Sequence, residues 1–99
     1  MKKQDISKNQ VKNIFLGIGS NLGNRIINIE NAKSHLLENN INFISVSNYY
    51  ETPSWPDPKK PKFINIILKA TCKYKPIEML VLCKNCLLYT SDAADDLGR

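Results

Sequence analysis

Long apolar runs are absent from this 99-residue chain. No stretch approaches the roughly 20 apolar residues that a membrane-crossing helix needs. The first 13 residues are polar and lysine-rich, without the apolar segment of a secretory signal. A cytoplasmic location and no membrane partner are the resulting expectations. Cysteine is sparse and odd in number, at Cys72, Cys83 and Cys86. Cys83 and Cys86 form one C-x-x-C, but no second pair completes a zinc site, so reduced thiols acting as small apolar residues are expected. Histidine occurs once, at His35 within a helical pattern, which argues for a structural or exposed residue rather than a catalytic one. Arginine occurs only as Arg25 and Arg99. No Gly-Lys pair exists, which excludes the phosphate-cradling loop that ends in Gly-Lys-Ser/Thr, and Leu22 stands where a dinucleotide fingerprint needs its third glycine.

The chain is long enough for one domain with a small core. Its formal charge of +5 is unevenly spread. The basic excess lies in residues 1–85, whereas residues 86–99 set Arg99 against Asp92, Asp95 and Asp96. A basic body suits either an anionic ligand or a solvated lysine surface.

Residues 1–12 read as a disordered leader. Residues 13–19, N-I-F-L-G-I-G, are a short apolar run ending in glycine, as in a buried strand, and residues 20–23 form a turn. Gly19 is expected to let the chain turn at the strand end and a ligand approach the backbone. Asn24 is a helix N-cap, and Ile26, Ile29, Ala32 and Leu36 recur at helical spacing as far as Glu38. Residues 41–50 are rich in β-formers. Residues 51–61 hold four of the five prolines and must be irregular. Residues 62–73 alternate: Ile64, Ile66, Leu68, Ala70 and Cys72 share one face, and Phe63, Asn65, Ile67, Lys69 and Thr71 the other. Pro76 opens a second helix, with Ile77, Leu80 and Val81 as its apolar stripe. Strand, helix, strand, strand, helix is an α+β order: five of the six elements of the ferredoxin-like split βαβ unit, with the last core strand missing.

Two segments carry chemistry. One is Gly17-Ile18-Gly19-Ser20-Asn21-Leu22-Gly23-Asn24-Arg25. The other is Ser47-Asn48-Tyr49-Tyr50-Glu51-Thr52-Pro53, followed by Pro61-Lys62-Phe63-Ile64-Asn65. Phe63 and Asn65, two apart on a strand, project from one face, so a ring for stacking and an amide for an edge stand together, as a flat heterocycle requires. A core aromatic beside a satisfied amide is the plainer reading of the same pair. Over residues 13–85 the ordered set resembles the 6-hydroxymethyl-7,8-dihydropterin pyrophosphokinases, which begin strand–GSN-L-G–(D/N)-R–helix and continue with S-x-x-Y-x-T-x-P and P-x-(F/Y)-x-N.

The resemblance implies transfer of pyrophosphate from ATP to 6-hydroxymethyl-7,8-dihydropterin in folate biosynthesis, with ATP and Mg2+ required. It places the pterin against Gly19, Thr52, Pro53, Ser54, Trp55, Phe63 and Asn65. Trp55-Pro56 departs from the small or aliphatic residue and glycine common in the family, which bears on the loop's shape. The family's R-x-x-D-(L/I)-D stretch, source of its metal-ligating aspartates, has no counterpart here, and no catalytic or metal-ligating residue is assigned. The D-x-x-D-D of Asp92, Asp95 and Asp96 lacks the alternation of that pair. Residues 86–99 are expected to be a tail foreign to the domain, and this chain is expected to be inactive and poorly soluble, with an unpaired edge on its first strand. A different reading is a small basic ferredoxin-like domain binding RNA through Tyr49, Tyr50 and Phe63. The K/R-G-F/Y-G/A-F-V-x-F/Y signature of that class is absent, so no nucleic-acid partner is expected. The pattern leaves oligomeric state open.

Overall fold

The computed structural model describes residues 10–97, with side chains described to residue 86. The element order is β1 (Lys12–Ser20), α1 (Arg25–Glu38), β2 (Asn42–Val46), β3 (Tyr50–Thr52), β4 (Phe63–Cys72) and α2 (Pro76–Leu97). All pairing is antiparallel and runs through β4. β1 takes one edge of β4, from Lys12 opposite Cys72 to Ser20 opposite Ile64. β2 and β3 follow one another along the other edge. β1 and β2 are therefore mutually parallel, split by β4 and joined through α1, which is the ferredoxin-like split βαβ arrangement of an α+β domain. Among the described residues the free edge of β1 has no strand partner.

The alternation in β4 sets the layers. Ile66, Leu68, Ala70 and Cys72 are buried under the helices, with Ile29 and Leu36 of α1, Ile41 and Leu82 of α2. Phe63, Asn65, Ile67, Lys69 and Thr71 stand on the face without helices. β1 contributes Ile14, Leu16 and Ile18 to the covered side. At roughly 25 cal/mol per Å2 of apolar surface, burial of this small cluster is the main stabilising term.

Local chemistry sets the ends of the elements. The Asn24 side chain accepts from the Ile27 amide at 3.1 Å, capping α1. Asn40 closes α1 with φ of 68°, a left-handed conformation that asparagine tolerates. The Lys75 amide donates to Glu78 Oε1 at 2.7 Å, so a carboxylate three residues into the helix closes the start of α2.

Four expectations need correction. The β-rich run 41–50 is two strands rather than one. Ser47 ends β2, since its amide donates to the Ile67 carbonyl at 2.8 Å while its hydroxyl accepts from the Ile67 amide at 2.9 Å. A side chain there replaces a ladder bond, and β3 then restarts at Tyr50 and runs on to Thr52. Second, Ile77, Leu80 and Val81 of α2 are exposed, and Met79, Leu82 and Cys86 face inward instead. α2 carries apolar residues on more than one side, so its composition did not single out the packed stripe. Third, Ile26 of α1 is exposed, and Asn28 is buried beside Ile29. Fourth, Gly19 lies within extended β1 and not at a turn; the positive φ of this region, 59°, is at Gly23. Cys72 and Cys86 are buried, the Cys86 thiol facing the Ala32 carbonyl at 3.8 Å, and burial pushes the Cys83 thiol up. The proposed leader falls largely outside the described residues, as do the side chains of Asp92, Asp95 and Asp96.

Candidate functional site

At the Phe63 end of the sheet three strands bring distant sequence together. Register sets Gly19 of β1 and Tyr50 of β3 on either side of Asn65, and Thr52 opposite Phe63. Directly opposed residues project from the same face, so Gly19, Asn65, Phe63 and Thr52 share the face that the helices leave open. Asn65 Nδ2 donates to Thr52 Oγ1 at 2.8 Å. Among the described residues nothing donates to Asn65 Oδ1.

Gly19 has a steric reason. A Cβ built there would lie 2.6 Å from Asn65 Oδ1 and 3.5 Å from Phe63 Cδ1. The first distance is too short for a real contact, so a side chain at this position would push the tip of the Asn65 amide from its place. The turn explanation offered by the sequence missed this. What could have found it is the pairing of G-S-N with F-x-N across two strands, which demands knowledge of register.

The proline-rich loop 53–61 hangs beside this shelf. Ser54 is only 6% exposed, and its hydroxyl donates to the Pro61 carbonyl at 2.6 Å, drawing the two ends of the loop together. Asn21 Nδ2 reaches both Ser54 Oγ and the Pro61 carbonyl, each at 3.3 Å. Arg25 Nη1 donates to Glu51 Oε2 at 3.0 Å and to the Lys62 carbonyl at 2.8 Å. Segment 21–25 therefore straps the loop at both ends, roles the sequence reading did not give to Asn21 or Arg25. Pro53 is exposed and follows Thr52 directly. Trp55 is 89% exposed, outside the contacts of the shelf, and its peptide bond to Pro56 is cis. Of the seven residues expected together, Gly19, Thr52, Phe63 and Asn65 converge on one shelf. Pro53 and Ser54 border it, and Trp55 stands apart in solvent. Tyr49 donates its hydroxyl to Glu30 of α1, on the helix side of the sheet, so it does not join Tyr50 and Phe63 on the open face. The Tyr49 bond holds the Glu30 carboxyl below its ordinary range, more than burial raises it, and Lys33 adds to the lowering. The same bond raises the Tyr49 phenol.

The shelf supplies a wall and an edge, open on one side. A groove of about 470 Å3 lies at the other end of β4, around Asn42, Thr71 and Tyr74. That is roughly 30 Å away at about 3.3 Å per residue, and Cys72, Lys73 and Tyr74 line it, with none of the shelf residues among its walls. Among the described residues no three His, Cys, Asp or Glu side chains converge as a metal cage. Glu51 is engaged by Arg25 and Glu30 by Lys33 and Tyr49. The described residues thus do not fit a magnesium site.

A ferredoxin-like α+β domain with an aromatic, an amide and a glycine meeting at one end of its sheet defines the class. The chain belongs to the 7,8-dihydro-6-hydroxymethylpterin-pyrophosphokinase family, whose model matches residues 15–87. It is 35% identical over 71 residues to the 2-amino-4-hydroxy-6-hydroxymethyldihydropteridine pyrophosphokinase of Aquifex aeolicus, covering 72% of this chain and 44% of that protein. It is 31% identical over 87 residues to the folic acid synthesis protein fol1 of Schizosaccharomyces pombe, covering 86% of this chain and 12% of that one. The chain thus spans less than half the length of these curated relatives. No helix among the described residues is long and apolar enough to cross a membrane.

Proposed function

We propose that this chain provides the pterin-holding part of a cytoplasmic pyrophosphokinase of folate biosynthesis. The reaction moves a pyrophosphoryl group from ATP to 6-hydroxymethyl-7,8-dihydropterin. The hydroxymethyl oxygen bonds to the β-phosphorus, the bond from that phosphorus to the α-phosphate bridge breaks, AMP leaves, and the hydroxyl proton is lost to solvent or base. Such chemistry depends on positioning and on neutralising phosphate charge, which magnesium supplies when bound. The described residues serve the first need.

The observation that carries the reading is the Gly19–Asn65–Thr52 contact beside Phe63. A pterin edge offers N–H donors at its amino-pyrimidine end next to a carbonyl acceptor. Asn65 Oδ1 is open as an acceptor, and the Thr52 hydroxyl, which accepts from Asn65, keeps its own proton to donate. The Phe63 ring gives the face for stacking. Pro53, Ser54 and Trp55 would meet the ligand through the loop backbone, and the missing Cβ of Gly19 lets the Asn65 amide sit flat against β1. No cluster of three His, Cys, Asp or Glu side chains forms among the described residues, and the role assigned to them is to bind and orient the pterin. The chain alone is accordingly proposed to be inactive.

Isothermal titration with 6-hydroxymethyl-7,8-dihydropterin, alone and with a non-hydrolysable ATP analogue, tests this. Saturable pterin heat that disappears in Asn65→Ala is expected. A wild-type chain that stays folded and takes up neither compound overturns the reading.

A further inference from the structure

Asn28 is a polar side chain inside the apolar layer. It is 2% exposed, between helix α1 and the end of β1. Its Nδ2 donates to Ser20 Oγ at 3.1 Å and to the Leu22 carbonyl at 2.8 Å. Its Oδ1 is buried with no partner among the described residues. A buried oxygen without a hydrogen bond opposes folding. It is retained where the other half of the amide does something an apolar residue cannot. Here that half grips both sides of the turn holding Asn21. Asn21 in turn donates to Ser54 Oγ and to the Pro61 carbonyl, and Ser54 closes on Pro61. The bonds form a continuous relay from the helix interior, through the turn, to both ends of loop 53–61, the loop that begins immediately after Thr52.

We infer that Asn28 is a positioning residue, which sets the location of the proline-rich loop beside the Asn65–Thr52 shelf without touching the ligand. The inference rests on the pterin reading for its functional meaning, and on the relay alone for its structural one. Helix α1 is anchored by Ile29, Ala32 and Leu36, so it gives the turn a rigid support. Three hydrogen-bonded links then carry that rigidity to a loop whose own residues bury little. Preorganised support of this kind raises affinity by reducing the ordering left for the ligand to impose.

Trp55 is the single tryptophan and lies in the loop, so it is a built-in reporter. Asn28→Leu keeps approximate volume and removes both donated bonds. With the far-UV spectrum unchanged, Trp55 fluorescence anisotropy should fall, and affinity for 6-hydroxymethyl-7,8-dihydropterin should drop roughly tenfold as the loop loses its preorganised support. A role confined to general stability would lower the melting temperature and leave Trp55 anisotropy in the folded protein unchanged; that result overturns the inference. Should Asn28→Leu fail to fold, Asn21→Ala cuts the same relay outside the core and must give the same fall in anisotropy, or the inference is wrong. Failure of the wild-type chain to bind the pterin overturns the pterin reading alone, because the anisotropy comparison uses no ligand.

Discussion

The two faces of β4 are made by the same ten residues and obey different rules. On the covered face Ile66, Leu68, Ala70 and Cys72 meet other apolar side chains, and what matters is volume. On the open face Phe63, Asn65, Ile67 and Lys69 meet solvent or one another, with Lys69 Nζ 5.9 Å from the Phe15 ring centroid. What matters there is hydrogen-bond geometry at one end, and little elsewhere. The contrast teaches that packed and open positions of this strand alternate one for one, with the candidate functional ones, Phe63 and Asn65, confined to one end. A substitution at a single position should therefore report on stability or on the site, seldom on both.

The largest effect should come from the covered face. Leu68→Ala, at a fully buried position, should cost about 2–5 kcal/mol by the usual cost of a core cavity, read as a lowered denaturant midpoint at constant slope. An unchanged midpoint would remove the distinction between faces. Gly19→Ala comes next. Its new methyl group would collide with Asn65 Oδ1, so the amide must move and about 1–3 kcal/mol of pterin affinity should disappear in titration calorimetry, while the unfolding midpoint shifts less than for Leu68→Ala.

A smaller effect should follow pH. The Glu30 carboxyl is lowered in the folded chain by Tyr49, so its contribution is present above the ordinary carboxylate range and is lost as pH falls through the lowered value. The Tyr49 phenol is raised, so its contribution is present below the ordinary phenol range and is lost as pH rises through the raised value. Stability should show a plateau between these limits, and Tyr49→Phe should flatten both shoulders in melts run across pH. Both groups are exposed enough that screening by water keeps the effect modest. The least effect should be at Ile67→Thr on the open face, within about 0.5 kcal/mol of wild type in the same unfolding assay, although Ile67 is the immediate neighbour of Leu68.

Much of this was legible in order and spacing. The period of two in residues 63–72 divided the strand into its two faces correctly, and the structure buries the one that carries Ile66, Leu68, Ala70 and Cys72. Asn24 as N-cap and Pro76 at the start of α2 were readable from chemistry confined to one turn. The candidate site was legible as a list of residues through family motifs, and only partly as a place. Ser47 breaks a strand by hydrogen bonding to Ile67, twenty residues away, and Trp55 points into solvent. The inward side of α2 was misassigned, since Ile77, Leu80 and Val81 look as apolar as Met79 and Leu82 until a neighbour chooses between them.

Sequence alone thus determined the α+β order, the division of β4 into two faces, the helix starts and the family. These depend on local periodicity, on the hydrogen-bonding needs of chain ends and on ordered motifs, all written within a few residues of each other. Tertiary structure decided that Gly19 leaves room for the Asn65 amide, that Asn21 and Arg25 strap the loop, and that a buried Asn28 bonds to the residues on either side of Asn21. Each of those facts joins positions that are far apart in the chain or on different elements, and sheet register and helix packing, which no local pattern fixes, brought them within hydrogen-bonding distance.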